Sequence, residues 1–132
     1  MALNRIWNNQ GMKTILVDTN IILWTFSGGP DFREVIADIA PHYELMIPTC
    51  IMLELKKLNT KESLAALEIC KNIDQKNIGE GYADDMLIAA AKEGHLIATN
   101  DKDILKQLKI LKLNALKIRE KNKMMFTEGE IS

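Results

Sequence analysis

Three short runs in this chain are apolar at every position: Ile15-Leu16-Val17, Leu45-Met46-Ile47 and Leu96-Ile97-Ala98. A strand with one wet face alternates apolar and polar side chains. A strand that is apolar throughout has both faces covered, which is the habit of parallel sheets. Strands are expected at residues 14–18, 44–47, 96–99 and about 115–119. Between them lie helix-length stretches at 21–26, 32–40, 50–58, 62–73, 85–93 and 102–108. Strands joined through helices pair in parallel by right-handed crossovers, with helices on both sheet faces. The expected fold is therefore α/β, a three-layer α/β/α sandwich with a central parallel sheet of four to five strands.

The length of 132 residues suits one core and is too short for two. Residues 13–132 read as a single domain with a basic C-terminal segment. Residues 1–12 read as an N-terminal extension, because the first eleven show no apolar period and include Asn4, Asn8, Asn9 and Gln10. Ser27-Gly28-Gly29-Pro30 is read as a turn, Asp31-x-x-Glu34 as a capping box and Pro41 as a helix stop. Trp24 and Phe26 are read as core packing rather than as platforms for bases. Met124-Met125-Phe126 is read as part of a polar tail.

Apolar runs fall far short of the roughly 20 residues needed to span a bilayer, and no signal sequence is evident. A cytoplasmic location is the expectation. Cys50 and Cys70 lack a C-x-x-C spacing, and neither His42 nor His95 has a partner at ligand distance in sequence. Zinc and thiol chemistry are not expected.

Acidic residues fall where the expected strands meet the next helices. Asp18 closes the first apolar run, Asp101 follows the third, Glu54 lies one turn into the helix after the second, and Asp85 opens an apolar helix. In a parallel α/β sheet the carboxyl ends of neighbouring strands share one edge, and ligands bind in the crevice there. Carboxylates gathered at that edge repel one another unless a cation lies between them. Mg²⁺ or Mn²⁺, which take hard oxygen ligands, are the implied cofactors, and the implied chemistry is phosphodiester hydrolysis.

The formal net charge of −1 conceals an asymmetry. From Lys102 to Lys123 there are eight basic residues against Asp103 and Glu120, a local +6 that leaves −7 elsewhere. Acids to hold cations beside bases to hold phosphates suit a nuclease acting on RNA. Lys106, Lys109, Lys117, Arg119, Lys121 and Lys123 are the candidate RNA-binding residues. A solvated lysine face is the rival account of the same pattern.

Four segments resemble the PIN domain, the nuclease family named after the PilT N-terminus. They are Leu16-Val17-Asp18-Thr19-Asn20, the stretch from Ile47 to Leu55 that carries Glu54, Ala83-Asp84-Asp85 with its apolar helix, and Ile97-Ala98-Thr99-Asn100-Asp101. The resemblance implies that Asp18, Glu54, Asp85 and Asp101 are the catalytic metal ligands. It also implies that Thr19, Asn20, Asp84 and Asn100 support them by hydrogen bonding or outer charge. Asp84 is read as either the N-cap of its helix or an outer carboxylate. Asp85, with Ala89 four residues on, fits the family's Asp-x-x-x-Ala spacing.

Within the family the chain is most similar to the archaeal and eukaryotic branch that processes small-subunit ribosomal RNA. That implies a metal-dependent endoribonuclease acting on single-stranded or unpaired RNA such as pre-rRNA, as a homodimer. The alternatives are a VapC-type toxin ribonuclease and a non-catalytic RNA-binding PIN scaffold. A haloacid-dehalogenase-type phosphatase needs a second Asp where Asn20 stands. A receiver domain needs paired acids where Asp18 stands alone.

Overall fold

In the computed structural model, which describes residues 13–127, the run Ile15-Leu16-Val17 fills strand β1 (Lys13–Val17), and all three side chains are fully buried. β1 is flanked on one side by β2 (Tyr43–Pro48) and on the other by β4 (Leu96–Ala98), both in parallel. Covered on both faces and both edges, it has no water-facing side, which accounts for its lack of alternation.

The sheet is completed outward. A two-residue strand β3 (Gln75–Lys76) pairs in parallel with the end of β2, and β5 (Ala115–Arg119) pairs in parallel with β4. β6 (Lys123–Phe126) returns antiparallel to β5, giving six strands in the order β3-β2-β1-β4-β5-β6. The fold is the expected α/β/α sandwich. Its five parallel strands match the expected count, and the antiparallel sixth is an addition. Met124-Met125-Phe126 is thus part of a strand, with Met124 buried opposite Ile118.

Helix α1 (Thr19–Trp24) and a 3₁₀ turn (Thr25–Ser27) lead to α2 (Phe32–Ile39), which is capped by the Asp31 carboxylate. α3 (Thr49–Leu58) and α4 (Lys61–Cys70) follow β2; a capping box between Thr60 and Ser63 starts α4 one residue before its expected start. α1 to α4 pack on one another on one face of the sheet, while α5 (Ala83–Lys92) and α6 (Lys102–Ile110) meet on the other. This division follows from handedness. The strand order moves one way from β1 to β3 and the other way from β4 to β5, so right-handed crossovers place the two helix sets on opposite faces.

Trp24 packs half-buried against the core, and its indole N–H donates to the Lys121 carbonyl at 3.1 Å. It ties α1 to the turn between β5 and β6. A Cβ at Gly29 would lie 2.6 Å from the Trp24 ring, so the turn at 27–30 is glycine-bearing for packing. The expected extension at 1–12 lies outside the described residues. No helix among the described residues is long and apolar enough to cross a membrane.

Candidate active site

The strand order reverses between β1 and β4, and the crevice beyond their carboxyl ends is where such sheets bind ligands. Asp18 and Thr99 are the residues that follow these two strands. Asp18 is still held to the sheet, its N–H donating to the Ala98 carbonyl at 2.9 Å, and it serves as N-cap of α1. Its Oδ1 accepts from the Thr19 N–H at 2.8 Å. Its Oδ2 accepts from the Thr99 hydroxyl at 2.6 Å and from the Asn20 amide at 3.2 Å.

Thr99 is fully buried and acts as a hub. Its hydroxyl oxygen also accepts the Asp101 N–H at 3.1 Å, so its single proton is committed to Asp18. Asn20 closes the crevice from above by accepting the Asn100 N–H at 2.9 Å. Asp101 caps α6, its Oδ1 accepting from the N–H groups of Asp103 at 2.8 Å and Ile104 at 3.1 Å. Glu54 reaches the same place from α3, where its carboxylate accepts a hydrogen bond from the Thr19 hydroxyl.

Thr19 was expected to orient Asp18. It does so through its backbone, while its side chain positions Glu54. Asn100 contributes its backbone N–H. Thr99 was not singled out in the sequence. The only signal for it was its place in the Thr-x-Asp segment at the end of an apolar strand.

For the third acid the structure sets Asp84 and Asp85 in different directions. Asp85 was expected as the ligand, with Asp84 as helix cap or outer charge. The helix instead begins at Ala83 with Tyr82 as its N-cap, so Asp84 lies inside the first turn. Three and four residues beyond Asp84 stand the buried Leu87 and Ile88; four beyond Asp85 stands the exposed Ala89. The spacing that favoured Asp85 therefore runs along the solvent stripe, and it is Asp84 that shares a face with the core.

Electrostatics agree. Asp84 is largely exposed, yet partial burial and then repulsion from Asp101 and Glu54 push its carboxyl above the ordinary range, with Asp85 and Asp103 contributing less. Asp18 is pushed up chiefly by burial. The hydrogen bonds from Thr99 and Thr19 oppose this, and the charges of Glu54 and Asp84 add to it. Asp84 thus feels Asp101 and Glu54 more than its neighbours Asp85 and Asp103, and Asp18 feels Glu54 and Asp84.

Among the described residues none of these four acids belongs to an ion pair. Nor do any three acidic, histidine or cysteine side chains among the described residues converge into a ready-made ion cage. The donor set still fits a hard cation. It is all oxygen and carries excess negative charge, and Mg²⁺ is usually held by one or two carboxylates, waters and substrate phosphates rather than by a full protein cage. Burial raises the pKa of the nearby Cys50 thiol, keeping it protonated and a poor ligand.

The basic segment divides. Arg119, Lys121 and Lys123 surround the β5–β6 turn, at the same sheet edge as Asp18. Arg119 and Lys123 share Glu120 there, at 3.6 and 3.8 Å. Lys117 lies half-buried within β5. Lys106 and Lys109 ride on α6 as it runs back from Asp101, with Lys109 in the last turn, away from the acidic edge.

Thr99→Val is expected to reduce any cleavage by about 10–100-fold, because it releases the carboxylate that a cation needs held. It should also cost about 1–3 kcal/mol, since Asp18 Oδ2 and the Asp101 N–H each lose a buried partner. Thr99→Ser should recover most of both. Denaturant melts alongside turnover measurements would check this.

Carboxylates clustered at the switch point of a doubly wound sheet are the ground plan of an α/β nuclease. The chain is similar to ribonuclease VapC4 of Methanocaldococcus jannaschii, 30% identical over 122 residues that cover 83% of this chain and 93% of the relative. Its structure is similar to that of the PIN domain endonuclease Utp24, with a TM-score of 0.75 and 24% identity, covering 86% of this chain and 90% of the other. No family model matches. With the VapC4 likeness spanning most of both chains, this protein belongs to the PIN-domain nuclease family.

Proposed function

We propose that this protein is a Mg²⁺- or Mn²⁺-dependent endoribonuclease that hydrolyses phosphodiester bonds in single-stranded or unpaired RNA. The observation that carries the reading is a buried Asp18, pushed toward protonation chiefly by that burial and further by the charges of Glu54 and Asp84, with no basic residue among the described residues paired to it. Such a group is costly until a cation arrives. Asp18, Glu54, Asp84 and Asp101 would hold the cation. When bound, it supplies the local positive charge that lowers the pKa of water and stabilises the leaving oxygen.

The chain's own residues do the rest. Thr99 and the Thr19 N–H favour the charged form of Asp18 and aim it, the Thr19 hydroxyl fixes Glu54, and the Asp101 cap fixes the loop after β4. Arg119, Lys121 and Lys123, at the same edge, are assigned to the RNA backbone, where they offset phosphate charge without reading sequence.

Ribosomal RNA processing is the role we favour, on Ala83-Asp84-Asp85, Ala98-Thr99-Asn100-Asp101 and the late strand that ends in Arg119. A toxin role is the second reading, and the likeness to ribonuclease VapC4 favours it. Action as a homodimer in the cytoplasm belongs to the same proposal, carried over from the family resemblance alone.

The test is cleavage of labelled single-stranded RNA with Mg²⁺, with Mn²⁺ and in EDTA, by wild type and by Asp18→Asn. Cleavage should vanish in EDTA and fall by roughly a hundredfold or more in the variant. Cleavage that persists in EDTA would sink the metal-dependent reading. RNAs crosslinked to the protein in its own cell separate the roles: pre-rRNA for processing, another RNA for a toxin.

A further inference from the structure

Beside Glu54, and outside the Asp18 crevice, a cavity of about 580 Å³ opens between helix α3 and the loop that leads into α5. Its α3 wall is one stripe of that helix, made of Cys50, Leu53, Glu54 and Lys57; the opposite rim carries Asn77 and Tyr82. Two large side chains here are left in water, Leu53 at 56% and Tyr82 at 83% exposure. Tyr82 is the N-cap of α5, and the loop before it turns through Gly79 at φ 121° and Gly81 at φ 122°. A Cβ at Gly79 would lie 2.6 Å from the Met86 sulfur, so the loop is packed down and the rim is preformed.

The cavity graduates in chemistry. Glu54, at one end, is shared with the acidic crevice. Leu53, Cys50 and the Tyr82 ring make its middle apolar. Lys57, free of ion pairs among the described residues, offers a positive charge one turn beyond Glu54 on the same stripe, while Glu80 adds a second negative charge to the lining. An exposed aromatic ring beside an apolar wall and one cation matches an unpaired nucleotide: a π-face to stack on and a charge for its phosphate.

We propose that this cavity seats the nucleobase next to the scissile phosphate, stacked on Tyr82 against Leu53, with Lys57 holding the adjoining phosphate. The proposal rests on the ribonuclease reading above. A protein segment could also cover Leu53 and Tyr82; RNA is favoured because Glu54 is part of the wall. Stacking accepts any base, so the pocket selects unpaired RNA over paired RNA rather than one sequence over another. That supplies a physical source for the single-strand preference proposed above.

The experiment measures kcat and KM on a single-stranded oligoribonucleotide, and on copies with one abasic site moved along it, for wild type, Tyr82→Phe and Tyr82→Ala. Binding of the same probes is followed by anisotropy in EDTA. Tyr82→Ala should raise KM and Kd roughly tenfold with kcat little changed, and Tyr82→Phe should resemble wild type. In wild type an abasic site at one position beside the cut should cause a similar loss, and in Tyr82→Ala it should add nothing.

Unchanged RNA binding by Tyr82→Ala, or an abasic penalty undiminished in that variant, overturns the pocket and leaves the ribonuclease reading standing. A wild type that binds in EDTA but never cuts overturns the ribonuclease reading, while the Tyr82 dependence of binding still decides the pocket. A wild type that neither binds nor cuts overturns both.

Discussion

Asp84→Asn is expected to lose RNA cleavage by about a hundredfold or more, whereas Asp85→Asn should stay within a few-fold of wild type. Adjacent acids of the same charge and size make a close internal control. Both lie in the first turn of α5, so both interact alike with the helix dipole, and replacing either costs the helix about the same. They differ in direction. Asp84 stands on the stripe continued by Leu87 and Ile88 and feels Asp101 and Glu54, while Asp85 stands on the stripe continued by Ala89, in water. A metal-dependent reaction should register the first carboxylate and ignore the second. The check is single-turnover cleavage of one labelled RNA by the two variants at saturating Mn²⁺. Equal losses would mean that both acids engage the cation, and a loss confined to Asp85→Asn would reinstate the reading from Asp-x-x-x-Ala spacing.

That pair also marks the limit of what the chain discloses unaided. Strands covered on both faces announce themselves, and Ile15-Leu16-Val17 and Leu96-Ile97-Ala98 could be read directly because each is a short apolar run bounded by polar residues and set between helix-length stretches. The edge those strands share could be read as well, since it follows from parallel pairing and handedness, and with it the places of Asp18 and Asp101. The phase of α5 could not. Two neighbouring acids differ by about 100° around a helix, and only the true N-cap, Tyr82, decides which one faces the crevice.

Strand β6 was hidden for a different reason. The turn before it places Glu120 at φ 58° without a glycine, so the usual hairpin signal is missing from Glu120-Lys121-Asn122. β3 has two polar residues and no apolar pattern at all. Thr99 was overlooked because a hydroxyl's role depends on who stands opposite, and Asp18 is 81 residues away in sequence.

The variant that abolishes cleavage should also stabilise the metal-free protein, and this second effect tests the crevice without using RNA. Asp18 and Asp84 both hold their protons to higher pH in the folded protein than the ordinary 3.8. An acid whose folded pKa is raised contributes stability below 3.8 and loses it as pH climbs through the folded value. Once deprotonated the two repel, and water at the exposed Asp84 screens part of that repulsion. In EDTA, Asp84→Asn should therefore melt above wild type at pH 7, and the gap should close as pH falls below about 4.

Metal reverses the order. A cation present at a hundred times its Kd stabilises the folded state by about 2.7 kcal/mol, about 10 °C for a domain of this size. Asp84→Asn, short of one charged ligand, should gain distinctly less. The expected signature is a crossing: variant above wild type in EDTA, wild type above variant in Mn²⁺, with Asp85→Asn following wild type in both. Curves that shift in parallel for all three proteins would place the cation away from Asp84. A crossing shown by Asp85→Asn instead would return that residue to the site. Only charge at the crevice produces the inversion, because a plain structural defect at residue 84 would lower the melting point in both buffers.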